Sequence, residues 1–494
     1  MNDPQSYRGL PVVVIGLARS GVEAAKALHR LGALVTVNDL KPREQSPEAV
    51  ELEELNIEVI CGGHPEGLIH KDIALLVKNP GIPYSAPPIQ QAMDLGIEVI
   101  TEVELAYRIS DVPMIGITGS NGKTTTTTWV GQMLDACGLH PIVGGNIGIP
   151  LCQAVVEAEE KDNAIIVAEL SSFQLKGTRD FNPTIAALLN VAETHLDYHG
   201  TMDDYVTSKR KIFENQGEKD TAVLNWDDSY CRSMIPYIKA GRIIPFSVNE
   251  ELGNNAAMAA ALSAQSGMSV GAMYVSPSYV PDMEDDLERT IMYWDEEQGA
   301  VPILRVDELG IPGRYNVENA LAACAISIAA GCQPKQLADT LRTFRSVEHR
   351  LEYVTTHNEV AYYNNSKATN AKATMMALSA FQDQGIILIA GGLDRGSDYM
   401  DLLPVFQSQV KALVVLGQTR HKLARVAEMA GVASIRIIEE TDQAEQAVYQ
   451  AVQQASELAE TGDIVLLSPA CASWDMFSSF EIRGNVFKQA VNEL

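Results

Sequence analysis

The segment Gly116-Ile117-Thr118-Gly119-Ser120-Asn121-Gly122-Lys123-Thr124 constrains this chain more than any other. It follows a short apolar run (Val112, Met114, Ile115) and leads into a Thr-rich stretch ending at Trp129-Val130. The order reads as strand, glycine-rich loop, helix, which belongs to the α/β class. Such a loop turns its backbone N–H groups inward around a phosphate, and the helix N-terminus adds a favourable field. Lys123 would reach the terminal phosphates, and the Thr124 hydroxyl would sit on Mg²⁺. The usual phosphate-loop pattern has Gly at position 117. Ile117 makes this loop a narrower variant.

A chain of 494 residues, 46% of them hydrophobic, should form about three domains with several cores. The formal net charge of -27 argues against a nucleic-acid partner. The seven cysteines (Cys61, Cys137, Cys152, Cys231, Cys324, Cys332, Cys471) are scattered, odd in number and without Cys-x-x-Cys. That pattern predicts reduced thiols, with neither zinc nor a disulfide framework. The apolar run from Leu10 to Leu17 is too short to span a membrane, and no longer one occurs. The expectation is a soluble, cytoplasmic protein with no membrane partner.

Residues 11 to 110 alternate strand-like and helix-like segments. Val12-Val13-Val14-Ile15 reads as a buried strand, and Gly16 to Gly21 as a glycine turn. A helix to about Leu31 and a strand Leu34 to Val37 follow, ending at Asn38-Asp39. This is a Rossmann-like opening with an acid where a ribose contact would sit. Ala18 replaces the middle glycine, which weakens a dehydrogenase reading and leaves a nucleotide-sugar site open. Pro113 opens a second region with strand-like Ala164 to Ala168 and Ile185 to Leu189. Parallel sheets bind ligands beyond the carboxyl ends of their strands, so Glu169 and His195 are placed to face the phosphate loop. Asn316 and Asn319 lie one turn apart at the start of an Ala-rich helix to Ala330 and could read an adenine or ribose. The acidic stretch Met283 to Gln298 reads as a solvated insertion. A third region of alternating strands (Ile386 to Ala390, Leu413 to Leu416, Ile464 to Leu467) begins near Ser346. The predicted architecture is α/β in three domains: a Rossmann-like domain over 1–110, a central P-loop ATPase-type domain over 111–346 and a C-terminal Rossmann-like α/β domain over 347–494.

Five runs then agree in order: Gly116 to Thr124, Glu169-Leu170-Ser171-Ser172-Phe173-Gln174-Leu175, His195-Leu196-Asp197, Asn364-Asn365-Ser366-Lys367-Ala368-Thr369-Asn370 and Ser468-Pro469-Ala470-Cys471-Ala472-Ser473. By these motifs the chain resembles the Mur ligase family over nearly its whole length, and within it the D-glutamate-adding members. The resemblance implies ATP-dependent amide formation through an acyl phosphate. D-glutamate would be added to UDP-N-acetylmuramoyl-L-alanine in peptidoglycan precursor synthesis. A sibling adding another amino acid is the alternative. The lack of an Asp-Asn-Pro-Arg-like run counts against a diaminopimelate- or lysine-adding sibling.

The same resemblance implies roles for individual residues. Gly119, Ser120, Asn121, Gly122, Lys123, Thr124 and Thr125 would hold ATP, with Asn316, Asn319, Arg350 and Asn365. Thr124, Glu169, His195 and Lys209 would serve two Mg²⁺ ions, with Lys209 as a CO₂-derived carbamate; Lys123, His195 and Lys209 form the catalytic set. Taken alone, the basic run Ser208-Lys209-Arg210-Lys211 reads as a solvated helix face. Arg19, Ser20, Asp39, Asn79 and Asn146 would contact the UDP-sugar. Lys367, Thr369, Arg395, Ser473 and Phe480 match the D-glutamate region. Asn365 stands where the family pattern has Asp, and Arg395 where Lys is frequent, keeping the charge with a bidentate fork. The substrates are small molecules, and the expected state is a monomer.

Overall fold

The computed structural model describes residues 4–194, 196–254, 268–280, 287–345, 347–381, 384–439 and 443–494. Two compact units result. The first runs to Leu309 and includes Val317–Arg342; the second comprises Gly310–Asn316 and Thr343–Leu494.

The first unit holds two sheets. The smaller contains β1 (Pro11–Ile15), β2 (Leu34–Asp39), β3 (Glu58–Cys61), β4 (Leu75–Lys78) and β5 (Glu98–Thr101), in the order β3-β2-β1-β4-β5. Every pairing in it is parallel. Parallel sheets are covered on both faces, and Val12, Val13, Val14 and Ile15 are accordingly all buried. The turn after β1 needs its glycines. Gly16 has φ +106°, and a Cβ on Gly21 would lie 2.0 Å from the Gly16 carbonyl oxygen.

The larger sheet contains β6 (Met114–Thr118), β7 (His140–Gly145), β8 (Ala164–Glu169), β9 (Ile185–Leu188), β10 (Thr221–Asn225), β11 (Arg242–Ser247), β12 (Ser269–Ser276), β13 (Thr290–Asp295) and β14 (Gly299–Arg305). Their order is β14-β13-β12-β11-β10-β9-β6-β8-β7. Strand β6 lies between β8 and β9, so the chain order reverses beside it and a crevice opens at its carboxyl end.

Two expectations are corrected in this unit. Within the stretch expected to be a solvated insertion, β13 pairs antiparallel with β12 and β14. Its Ile291 and Tyr293 are buried, and Asp295, on the same strand face, accepts from the Tyr293 hydroxyl at 2.8 Å. Residues 283–286 of that stretch lie outside the described residues. Cys137 and Cys332, expected as separate thiols, are joined as a disulfide with Cα atoms 5.9 Å apart across 195 positions. Cys137 caps the helix Lys123–Ala136, and Cys332 follows the helix Arg314–Ala329. Helix ends meeting in three dimensions leave no mark in cysteine spacing.

The second unit contains β15 (Glu352–His357), β16 (Val360–Asn364), β17 (Ile386–Gly391), β18 (Val410–Leu416), β19 (Ser434–Ile437) and β20 (Ile464–Leu467), ordered β15-β16-β20-β17-β18-β19. Only the β15–β16 pairing is antiparallel. Apolar clusters cover both faces of this sheet.

Candidate active site

In the first unit the loop between β6 and the helix Lys123–Ala136 is fixed from outside. Ser120 N–H donates to the Asn190 carbonyl (3.0 Å), and Asn121 N–H donates to Asn190 Oδ1 (2.8 Å). Ser120 Oγ accepts from Ala192 N–H (2.8 Å) and meets the Tyr205 hydroxyl (2.8 Å). Gly122 caps the helix with φ +80°, and a Cβ there would fall 2.1 Å from Asn319 Oδ1. Only glycine fits that approach. Lys123 Nζ donates to the carbonyls of Gly119 (2.8 Å) and Ser120 (3.0 Å). Thr125 is buried behind the loop.

Three further side chains converge beneath the loop. Thr124 is 3% exposed, Glu169 1% and Lys209 1%. The solvated-face reading of Lys209 is therefore wrong. The helix Met202–Arg210 turns this residue inward, where Nζ donates to the Gly119 carbonyl (2.8 Å) and Thr118 Oγ1 (3.3 Å). Burial first, and the charge of Lys123 second, hold the amine well below the usual lysine range. Thr124 Oγ1 and Glu169 Oε2 are buried with no hydrogen-bond partner among the described residues. Glu169 Oε1 accepts from Asn146 Nδ2 at 2.8 Å. Two orphaned oxygen acceptors beside a phosphate-type loop fit a hard cation such as Mg²⁺, which takes few protein ligands and completes its shell from phosphate and water. Among the described residues no three His, Cys, Asp or Glu side chains form a metal cage. His195, expected as a metal ligand, lies outside the described residues.

The expected sugar-nucleotide residues surround the turn after β1. Arg19 begins the following helix and is exposed. Asp39 holds the turn, accepting from Leu17 N–H (2.7 Å) and Lys41 N–H (2.8 Å). Ser20 Oγ donates to Asn79 Oδ1 (3.3 Å), and Asn79 Nδ2 is buried without a partner among the described residues. Asn146 lies instead beside Glu169.

In the second unit Asn365 is buried, accepting from Leu351 N–H (3.2 Å) and donating to Ser468 Oγ (3.0 Å). Lys367 Nζ stands 5.2 Å from the centre of the Phe480 ring, and Arg395 lies over Trp474 at 4.9 Å. Ser473 is buried, while Arg350, Thr369 and Phe480 are half-buried. Asn316 Nδ2 donates to the Pro312 carbonyl (2.5 Å). Asn319 belongs to the first unit, 3.5 Å from Thr126 Oγ1.

Sequence reasoning missed several side chains. Tyr205 precedes Lys209 by four residues and so shares its helix face, a spacing that could have revealed it. Arg483 follows Phe480 by three and is buried, donating to Ser366 Oγ (3.0 Å) and to the carbonyls of Ser366 (2.8 Å) and Cys471 (3.1 Å). Ser172, His199 and Asp204 form a bonded chain that no local pattern announces.

A variant phosphate loop at the switch point of a mostly parallel sheet, preceded in the chain by one α/β sheet and followed by another, defines a three-domain nucleotide-dependent α/β protein. The chain belongs to the Mur ligase family. The MurD-like N-terminal domain of that family matches residues 11–101, the Mur ligase middle domain 117–327, and the Mur ligase glutamate ligase domain 349–471. The chain is 45% identical over 494 residues to UDP-N-acetylmuramoylalanine--D-glutamate ligase of Geobacillus sp. (strain WCH70), covering 100% of both chains. It is 44% identical over the same span to the ligase of that name from Bacillus cereus (strain ATCC 14579), again with 100% of each covered. In fold it is similar to UDP-N-acetylmuramate-alanine ligase MurC from Thermotoga maritima. There the TM-score is 0.57 at 17% identity, covering 98% of this chain and 99% of that one. It is also similar to MurF from Acinetobacter baumannii, with TM-score 0.56 at 14% identity, covering 100% and 93%. Among the described residues no helix is long and apolar enough to cross a membrane.

Proposed function

We propose that this chain joins D-glutamate to UDP-N-acetylmuramoyl-L-alanine at the expense of ATP, as a cytoplasmic, monomeric enzyme of peptidoglycan precursor synthesis. Its functional domains are bounded near residues 110 and 346. The observation that carries the reading is the buried pair of orphaned oxygens, Thr124 Oγ1 and Glu169 Oε2, beneath a glycine-rich loop whose lysine donates to the loop carbonyls of Gly119 and Ser120. The full-length likeness to the Geobacillus and Bacillus ligases supports the choice of substrates.

A carboxylate is a poor acyl donor because its leaving group would be oxide. Transfer of the terminal phosphoryl group of ATP to the carboxylate of the alanyl residue gives an acyl phosphate. The D-glutamate amine then attacks, and phosphate leaves. The protein contributes placement and charge compensation. Lys123 and the N–H groups of Gly119 to Thr125 hold the phosphates. Thr124, Glu169, His195 and Lys209 would hold two Mg²⁺, which supply charge neutralisation when bound. Asn316, Asn319, Arg350 and Asn365 would contact the nucleotide. Arg19, Ser20, Asp39, Asn79 and Asn146 would serve the UDP-sugar. Lys367, Thr369, Arg395, Ser473 and Phe480 would serve D-glutamate.

Lys209 would act as a carbamate. Its burial favours the neutral amine. That amine's nitrogen forms a bond to CO₂ carbon and loses a proton to water, leaving an anionic oxygen ligand suited to Mg²⁺. Purified protein with ATP and Mg²⁺ should release ADP only when both UDP-MurNAc-L-Ala and D-glutamate are present in turnover amounts. A mass shift of the nucleotide-sugar by one glutamyl group supports the reading. Equal turnover with L-glutamate or meso-diaminopimelate contradicts it.

A further inference from the structure

The bonded chain missed by sequence reasoning lies in the first unit, and none of its residues is among those assigned above. His199 has a fully buried side chain. Its Nδ1 donates to Asp204 Oδ2 at 2.6 Å, and its Nε2 meets Ser172 Oγ at 2.9 Å. Asp204 in turn accepts from Lys176 Nζ at 2.9 and 2.7 Å. Ser172 and Lys176 are the ends of one short helix, Ser172–Lys176, which follows the strand carrying Glu169. Asp204 lies in the first turn of the helix Met202–Arg210, where Thr201 caps its N–H. His199 therefore bolts one helix to the other with both ring nitrogens used.

The consequence runs along the second helix. Phe173 stacks on the His199 ring (5.4 Å, 27°), and Tyr205 meets its edge at 5.3 Å. The Tyr205 hydroxyl touches Ser120 of the phosphate loop at 2.8 Å, and its ring lies 4.8 Å from Lys209 Nζ. A shift of Asp204 moves Tyr205 and Lys209 with it, because a helix turn transmits displacement rigidly. Serine, histidine and aspartate in this order resemble a hydrolytic triad. Ser172 is only 2% exposed, so its hydroxyl is not presented to an acyl group from solvent.

We propose that His199 is a positioning residue for the ligase reaction, holding the helix that carries Tyr205 and Lys209 in register with the phosphate loop. The proposal rests on Lys209 being used in the reaction. Four variants test it: His199→Ala, His199→Phe, His199→Asn and Lys209→Ala. Phenylalanine keeps the ring volume and loses both hydrogen bonds. Asparagine keeps an N–H donor near the position of Nδ1. The expected result is a fall in kcat of about tenfold to a hundredfold for the Ala and Phe variants, the scale of a small misplacement of reacting groups. KM for UDP-MurNAc-L-Ala should stay within about twofold, and His199→Asn should recover most of kcat. Thermal midpoints measured alongside separate lost folding from lost placement.

His199→Phe turning over like the natural protein overturns the proposal, because packing alone would then suffice. A His199→Asn variant no better than His199→Ala at equal folded fraction overturns it as well. Lys209→Ala with normal turnover overturns both the proposal and the role given to Lys209. An inactive Lys209→Ala beside a fully active His199→Ala overturns the positioning role alone.

Discussion

The phosphate-loop region of the first unit and the proposed amino-acid region of the second sit on similar, mostly parallel sheets but treat charge in opposite ways. Thr124, Glu169 and Lys209 are buried, and two of their polar atoms have no hydrogen-bond partner among the described residues. Arg395 is exposed, Lys367 is half-buried, and both lean on aromatic rings. Burying unpaired polar groups is costly in the folded protein. In return, donors and acceptors are fixed before charge develops in the transition state, in a medium that weakens electrostatics less than water does. Under the proposed function the second-unit region would admit a zwitterion with an extra carboxylate, which fits cations that stay within reach of solvent. On the proposed function, the difference would separate phosphoryl transfer, with preset groups, from amine capture, with accessible ones.

The largest expected effect belongs to Lys123→Ala. It should lower kcat by about 10³-fold, the upper range for removing one preset charge-stabilising group. UDP-MurNAc-L-Ala affinity by calorimetry should be unchanged. A large loss of that affinity would break the division of labour between the sheets.

Lys78 sharpens the comparison within the first unit. It is fully buried, with Nζ 3.2 Å from the Pro80 carbonyl, and burial first, then the charge of Lys176, push it down to about 8. Between that value and the ordinary 10.5 the unfolded chain holds a proton that the folded chain lacks. Stability therefore rises with pH across this window and is lowest below it, by roughly 3 kcal/mol. Lys78→Met should raise the stability measured by urea unfolding at pH 7, and the gain should shrink as pH approaches 10. An equal gain at both pH values would show that the cost is not one of ionisation.

Lys209→Ala should lose about 10²-fold in turnover, a loss comparable to that of other preset charged groups. Excess acetate should restore part of it by filling the anion position. Near-normal turnover would remove Lys209 from the site. Arg395→Ala is the mildest expected change. It should raise KM for D-glutamate about tenfold, as for a single exposed charge contact, with KM for ATP little moved. If ATP affinity falls instead, the amino-acid region is not confined to the second unit.

The strand–loop–helix order of the phosphate loop and the Gly16–Gly21 turn were legible because apolar runs and obligatory glycines are local. Glu169 was legible for the same reason, as the polar end of an apolar strand. The inward turn of Lys209 was not, because a basic run looks alike on either face of a helix until the packing partner is known. The strand over Thr290–Asp295 was hidden by the acids that precede and follow it in the sequence. His199, Asp204 and Ser172 meet only through folding across 32 residues of chain, and the Cys137–Cys332 pair across 195.

The most direct test of the separation between preset and accessible groups is positional isotope exchange in bridge-labelled ATP. It is run with UDP-MurNAc-L-Ala present and D-glutamate absent, in the natural protein and in Arg395→Ala. The account predicts equal exchange in both, with ligation of D-glutamate impaired only in the variant and exchange absent in Lys123→Ala. Exchange lost together with ligation in Arg395→Ala would contradict it, placing phosphoryl transfer under the control of the second unit's exposed cation.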